Sequence, residues 1–185
     1  MGRDAILPAM ARAARKRRKL ALRFPAEEIP HWASRFPDSG GDRVLDSIRA
    51  RVRKRGCLTR AEFLSLCEWK SPRSRPHCQE NSERAVRIVT RAALASPDEE
   101  VKVELLRVLR GVEWATASAI LHACDARPYP ILDVRALWSL GHTGHVTLDL
   151  WLEYVACTRS LAARLGLGMR TLDRALWQYS KERQR

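Results

Sequence analysis

Apolar residues recur along this chain at three- and four-residue intervals, and no stretch alternates apolar with polar positions for long enough to make a strand. The pattern predicts an all-α protein. Val44, Leu45, Ile48 and Val52 share one helical face behind Asp42, a suitable N-cap, and Gly56 closes that helix. Thr59-Arg60-Ala61-Glu62 has the spacing of a capping box ahead of Phe63, Leu64 and Leu66, so a second helix is expected to about Trp69, broken by Ser71-Pro72-Arg73-Ser74-Arg75-Pro76. A third begins at Asn81 or Ser82 and carries Ala85, Ile88, Val89 and Ala92. A fourth begins at Ser96-Pro97-Asp98-Glu99 and carries Val101, Leu105, Leu106 and Leu109 up to Gly111.

A fifth helix is expected from Trp114 to about Cys124, then a loop through Pro128-Tyr129-Pro130. Asp133 is placed to cap a helix running from Val134 to Leu140, where Gly141 stops it. Two further amphipathic helices, Leu148 to Leu165 and Arg170 to about Glu182, close the chain, with Gly166 and Gly168 between them. Pro25, Pro30, Pro37 and Ser39-Gly40-Gly41 mark an irregular entry segment. With no internal repeat and no long linker, the expectation is one helical domain over 26–185, preceded by an arm over 1–25.

Charge changes this picture most at the arm. The chain has 34 Lys and Arg against 21 Asp and Glu, a net charge of +13. Arg3, Arg12, Arg15, Lys16, Arg17, Arg18, Lys19 and Arg23 face only Asp4 within the first 25 residues, so more than half of the excess is local. Such a balance favours polyanions and salt-dependent association. No run of about 18 apolar residues suggests a membrane span, and Met1 to Met10 does not have the build of a secretory signal, so a cytoplasmic protein is expected. The five cysteines, Cys57, Cys67, Cys78, Cys124 and Cys157, form no C-x-x-C pair and flank no spaced histidine pair. They are read as reduced thiols, with no metal site and no cofactor.

The stretch Leu109-Arg110-Gly111-Val112-Glu113-Trp114-Ala115-Thr116-Ala117-Ser118-Ala119-Ile120-Leu121 reads as a helix end, a tight turn and an immediate new helix. Its free backbone N–H groups and the positive end of the second helix suit a phosphate. A plain helical hairpin has the same pattern. Asp133 likewise supports two readings, a fixed anion or a helix cap.

The stretch resembles the hairpin of helix-hairpin-helix DNA glycosylases, and Tyr129-Pro130-Ile131-Leu132-Asp133-Val134-Arg135 resembles that superfamily's loop bearing its invariant aspartate. The likeness is nearest to adenine-specific mismatch glycosylases, in the runs Thr116 to Leu121 and Pro130 to Asp133. It covers residues 105–141, and Asp133 follows Ala115 by 18 residues, the family's spacing. The cysteine spacing lacks the iron–sulfur module that some members carry.

The resemblance implies a monomeric enzyme, nucleoid-associated if bacterial, that flips a damaged, mismatched or modified base out of double-stranded DNA and hydrolyses its N-glycosidic bond. Asp133 would stabilise the cationic sugar or orient the attacking water. Gly111, Val112, Glu113 and Ala115 would form the phosphate-binding hairpin, with Arg15, Lys16, Arg17, Arg18, Lys19, Arg110 and Arg135 as nonspecific contacts. Ala115 stands where bifunctional members carry a nucleophilic lysine, which implies hydrolysis without strand cleavage; Lys70 is the alternative lysine. Glu68, Trp69 and Lys70 are base-pocket candidates, while Trp138, Trp151 and Trp177 are read as core and His122 as packed or partly exposed. Glu113 departs from the pattern by replacing the second hairpin glycine with a negative charge. It favours the alternative of a noncatalytic helix-hairpin-helix DNA-binding protein.

Deleting residues 1–19 is expected to weaken binding to all duplexes alike and to flatten the slope of log affinity against log salt, because fewer counterions are displaced. Titrations at several salt concentrations measure this; an unchanged slope would show that the arm stays off the duplex.

Overall fold

The computed structural model describes residues 19–37 and 42–184, so Arg15, Lys16, Arg17 and Arg18 of the arm lie outside the described residues. Among the described residues there are ten α-helices and no strand. They are α1 (Ile29–Ser34), α2 (Asp42–Arg55), α3 (Arg60–Lys70), α4 (Arg75–Gln79), α5 (Glu83–Ala95), α6 (Glu99–Arg107), α7 (Trp114–Cys124), α8 (Val134–Ser139), α9 (Leu148–Leu165) and α10 (Met169–Arg183).

Helix α7 is the centre. Every residue from Thr116 to Cys124 is buried, and α2, α3 and α6 pack around it. Its small side chains, Ala117, Ser118, Ala119 and Ala123, let neighbouring backbones approach from several sides, while Ile120 and Leu121 fill the space between. Around this axis α10 packs on α1 and α8, and α5 packs on α6. Residues 19–25 are tied back to the body: Ala21 and Arg23 donate backbone N–H bonds to the carbonyls of Leu140 and Ser139.

Caps form where a polar side chain precedes an apolar face: Thr59 and Glu62 make the expected capping box of α3 and Ser82 caps α5. Thr147 caps α9, and Asp98 caps α6, so Pro97 lies before that helix and not in its first turn as expected, because the Asp98 carboxylate takes the Val101 amide. Two short helices depart from the expected loops. α1 and α4 each begin with a proline in their first turn and bury one or two side chains, Ile29 and Trp32 in α1 and Cys78 in α4. Helices of five or six residues are too short to show a period, so the prolines read as breakers. α6 stops at Arg107, short of Gly111, and Val108 to Arg110 make a turn. Asp42 lies inside α2, and its carboxylate reaches across to Arg170 and Arg174 at 2.8 to 2.9 Å.

A buried ion pair stands out from the apolar packing. Lys102 on α6 and Asp125 at the end of α7 are almost wholly enclosed and directly bonded, and Lys102 Nζ also donates to the Leu94 carbonyl at 3.0 Å. Removing Lys102 leaves the buried Asp125 carboxylate with only the Arg127 amide and the Arg127 guanidinium 3.6 Å away, so Lys102→Ala is expected to cost up to about 3–5 kcal/mol. Replacing both together, as Lys102→Met with Asp125→Leu, should recover most of that loss; urea midpoints of the three proteins give the comparison.

Candidate functional site

The turn between α6 and α7 is fixed from outside itself. Gly111 has φ 76°, and a Cβ there would lie 2.8 Å from both the backbone N and the Sγ of Cys78 and 3.0 Å from the Ser74 carbonyl. Only a glycine supplies that backbone shape at so close an approach. Asn81 clamps the preceding residue, accepting from Arg110 N and donating to the Arg110 carbonyl, both at 2.9 Å. Val112 is buried beneath, and Glu113 is the N-cap residue of α7 without a side-chain capping bond. The Glu113 side chain is 81% exposed, 3.8 Å from Arg107, whose guanidinium also covers the Trp114 ring at 3.9 Å. The first turn of α7 therefore has no side-chain cap on its amides; Trp114 and Ala115 are partly exposed, and Thr116 and Ala117 are buried.

Asp133 sits as the N-cap of α8, with Oδ1 accepting from Arg135 N at 2.9 Å. Its other oxygen accepts from Lys70 Nζ at 2.9 Å. Lys70 is the last residue of α3 and is only 10% exposed in its side chain; Asp133 is 28% exposed. Both open onto a cavity of about 270 Å³ with Phe36, Trp69 and Trp177 as aromatic walls. Phe36 and Trp177 meet edge to face at 5.2 Å, and the Arg170 guanidinium lies 5.4 Å from Phe36 and 5.6 Å from Trp69. Flat walls with a few polar groups between them suit a planar heteroaromatic ligand.

Behind the cavity the segment from Tyr129 to Leu132 is buried, and side chains bond four of its backbone groups. His122 Nδ1 donates to the Tyr129 carbonyl at 2.7 Å, and Ile131 N donates to Asp173 Oδ1 at 3.1 Å. The Tyr154 hydroxyl donates to the Ile131 carbonyl at 3.1 Å, and Leu132 N donates to Ser118 Oγ at 2.8 Å. Burial pushes the His122 imidazole down to about 4, and it pushes the Asp173 carboxyl, which also lines the cavity, up to about 7. Ser118 on α7 is bonded to Leu132 N, next to Asp133, while none of the turn residues Gly111, Val112, Glu113 and Ala115 lines the cavity.

Of the pocket residues expected from sequence, Trp69 and Lys70 line the cavity. Glu68 is absent from its lining, being 56% exposed and paired with Arg75 at 3.2 Å. Trp177, expected in the core, is a cavity wall, and Trp138 carries the Arg23 guanidinium at 4.4 Å; Trp151 is fully buried as expected. Ala115 is partly exposed one turn before Ser118. Arg110 is 70% exposed and pairs with Glu80, Arg135 lies 5.5 Å from the Trp177 ring, and Lys19 is exposed at the start of the described chain. Sequence reading missed Phe36, Asp42, Arg170 and Asp173, whose assembly depends on α1, α2 and α10 meeting in three dimensions. All five cysteines are free thiols, and no group of metal-ligating residues occurs among the described residues.

Gly111→Ala is expected to destabilise the fold by about 2–4 kcal/mol, since strain at positive φ adds to the overlap with the Cys78 backbone. Urea unfolding measures it, and a loss below about 0.5 kcal/mol would mean that the turn and α4 move apart freely.

Compared with protein-family models, curated proteins and solved structures, the chain matches none of them.

Proposed function

We propose that the protein is a DNA glycosylase that hydrolyses the N-glycosidic bond of a damaged, mismatched or modified base. The observation that carries this reading is a carboxylate, Asp133, fixed at a helix N-cap on the edge of an aromatic-walled cavity. The turn and the first amides of α7 hold backbone phosphate, and the arm adds nonspecific attraction. A base turned out of the stack lies between Trp69, Phe36 and Trp177, replacing lost base stacking with aromatic contact. As the C1′–N bond lengthens, positive charge on the sugar is met by Asp133, which also orients the water. Lys70 holds the carboxylate in place through its ion pair, and Ala115 leaves no amine at the hairpin.

A second reading, a noncatalytic DNA-binding protein, draws on two observations. Glu113 projects a charge from the turn, and both oxygens of Asp133 already have protein donors. A panel of duplexes bearing modified bases, with mass-spectrometric detection of free base, separates the two readings.

Asp133→Asn keeps an oxygen to accept from Arg135 N but removes the anion. It is expected to lower base release by at least about 10²-fold while duplex affinity and the unfolding midpoint stay close to wild type. Parallel loss of folding and binding would mark Asp133 as a structural cap alone.

A further inference from the structure

A second cleft adjoins the first cavity, with Arg170 in the lining of both. Its volume is about 310 Å³, and α2, the loop over 125–129 and the start of α10 bound it. Arg49, Arg53, Arg127 and Arg170 line it against a single carboxylate, Asp125, which is already bonded to the enclosed Lys102. Glu99 holds Arg127 and Asp42 holds Arg170, so the cations left for a ligand are those of α2. Arg49 and Arg53 lie one turn apart on one face of that helix. Arg49 has the exposed Asp46 as its carboxylate partner, and Arg53 has none among the described residues. Two further features face the same space. Gly168, the N-cap of the 15-residue α10, offers no side chain to the first amides of the helix, and Gly168 to Arg170 line the cleft. His122 lines it too, with a side chain only 7% exposed. Its Nδ1 meets the Tyr129 carbonyl, which can only accept, so Nδ1 carries the ring proton and Nε2 carries a lone pair. Nε2 has no hydrogen-bond partner among the described residues and is not sealed from the cleft.

We propose that this cleft binds a phosphate group that still carries a proton, either inorganic phosphate or a phosphate monoester. Arg49 and Arg53 meet its negative oxygens, and the uncapped amides of α10 take another. Its P–OH group donates to His122 Nε2. An acceptor set among cations discriminates between anions of similar shape. Sulfate is tetrahedral but has no proton at neutral pH, and a phosphodiester has none to give either, so both leave the Nε2 lone pair facing an oxygen. The cleft therefore refuses the internal linkages of a nucleic-acid strand and accepts a free phosphate ester or the phosphate at a strand end. Binding here holds whether or not the first cavity excises a base.

The experiment titrates the full chain by calorimetry at about pH 6, where roughly half of a phosphate monoester holds its second proton. Inorganic phosphate, sulfate and dimethyl phosphate are compared at constant ionic strength. Phosphate is expected to saturate a single site and to bind about tenfold or more tighter than either of the others. Arg53→Gln, at an exposed position, should weaken phosphate about tenfold or more. Gly168→Asp gives α10 a capping carboxylate, and it should weaken phosphate at least as much without lowering the unfolding midpoint. Lys54→Gln, the same change of charge outside the lining, should alter affinity less than about twofold. His122→Asn keeps a donor for the Tyr129 carbonyl but has no Nε2, and in it phosphate and sulfate should bind alike. Displacement of phosphate by a 5′-phosphorylated duplex alone assigns the cleft to a strand end, and displacement by neither that duplex nor its unphosphorylated twin assigns it to a free ester. Absence of saturable phosphate binding overturns the proposal. So do equal binding of sulfate by wild type, equal loss in Lys54→Gln and displacement by the unphosphorylated duplex.

Discussion

The structure depends on one constraint, that the backbone from Tyr129 to Leu132 passes through the interior without a strand partner. Buried amides and carbonyls must be bonded or they cost the fold dearly. Four side chains from three helices meet that demand: Ser118 and His122 from α7, Tyr154 from α9 and Asp173 from α10. Each fixes its own helix against the segment as well as the segment against the helix. Asp133 follows directly, so the carboxylate inherits its position from interior bonding.

This arrangement explains the polar residues on α7. In a fully buried helix, Ser118 and His122 cost desolvation unless they find partners, and the nearby unpaired backbone supplies them. His122 stays neutral because burial opposes its charge, which leaves its Nδ1 proton for the Tyr129 carbonyl. The linkage works in opposite directions at the two titrating groups. Lowering His122 to about 4 favours the fold above its unfolded value, near 6.5, and that contribution is lost as pH falls toward 4; raising Asp173 to about 7 favours the fold at low pH and is lost as pH rises through 7. Their pH dependences therefore partly cancel between about 4 and 6.5.

Much of the helical framework was legible in the chain because long amphipathic helices with capping residues carry their own signal. Thr59 with Glu62 and Asp133 ahead of α8 read correctly for that reason. The site was legible only where its residues lie near the Gly111 turn or Asp133, and in Trp69 and Lys70 beside a break. Glu68 was misplaced because a helix turns each successive side chain about 100° away, so that Glu68 faces solvent while Trp69 and Lys70 face inward. Trp177 and Asp173 sit four residues apart on α10, one face of a helix whose apolar period says core. Nothing local distinguishes a face that packs fully from one that leaves a hollow. Phe36 and Arg170 join the site only because α1 and α10 pack together.

The Asp42 carboxylate, bonded by Arg170 and Arg174, gives the interior of the cavity a different electrical character from the rest of the molecule. Asp42 offsets Arg170, Lys70 offsets Asp133, and Asp173 holds its proton up to about 7, so the ionised groups lining the cavity come close to balance. The chain as a whole carries +13. An anion within about one Debye length of the surface meets that positive excess, yet inside the cavity the lining groups leave no local excess of charge to act through. Under the proposed function, phosphate would stay at the surface, and entry to the cavity would be sorted by flatness, size and hydrogen-bonding edge instead of by charge.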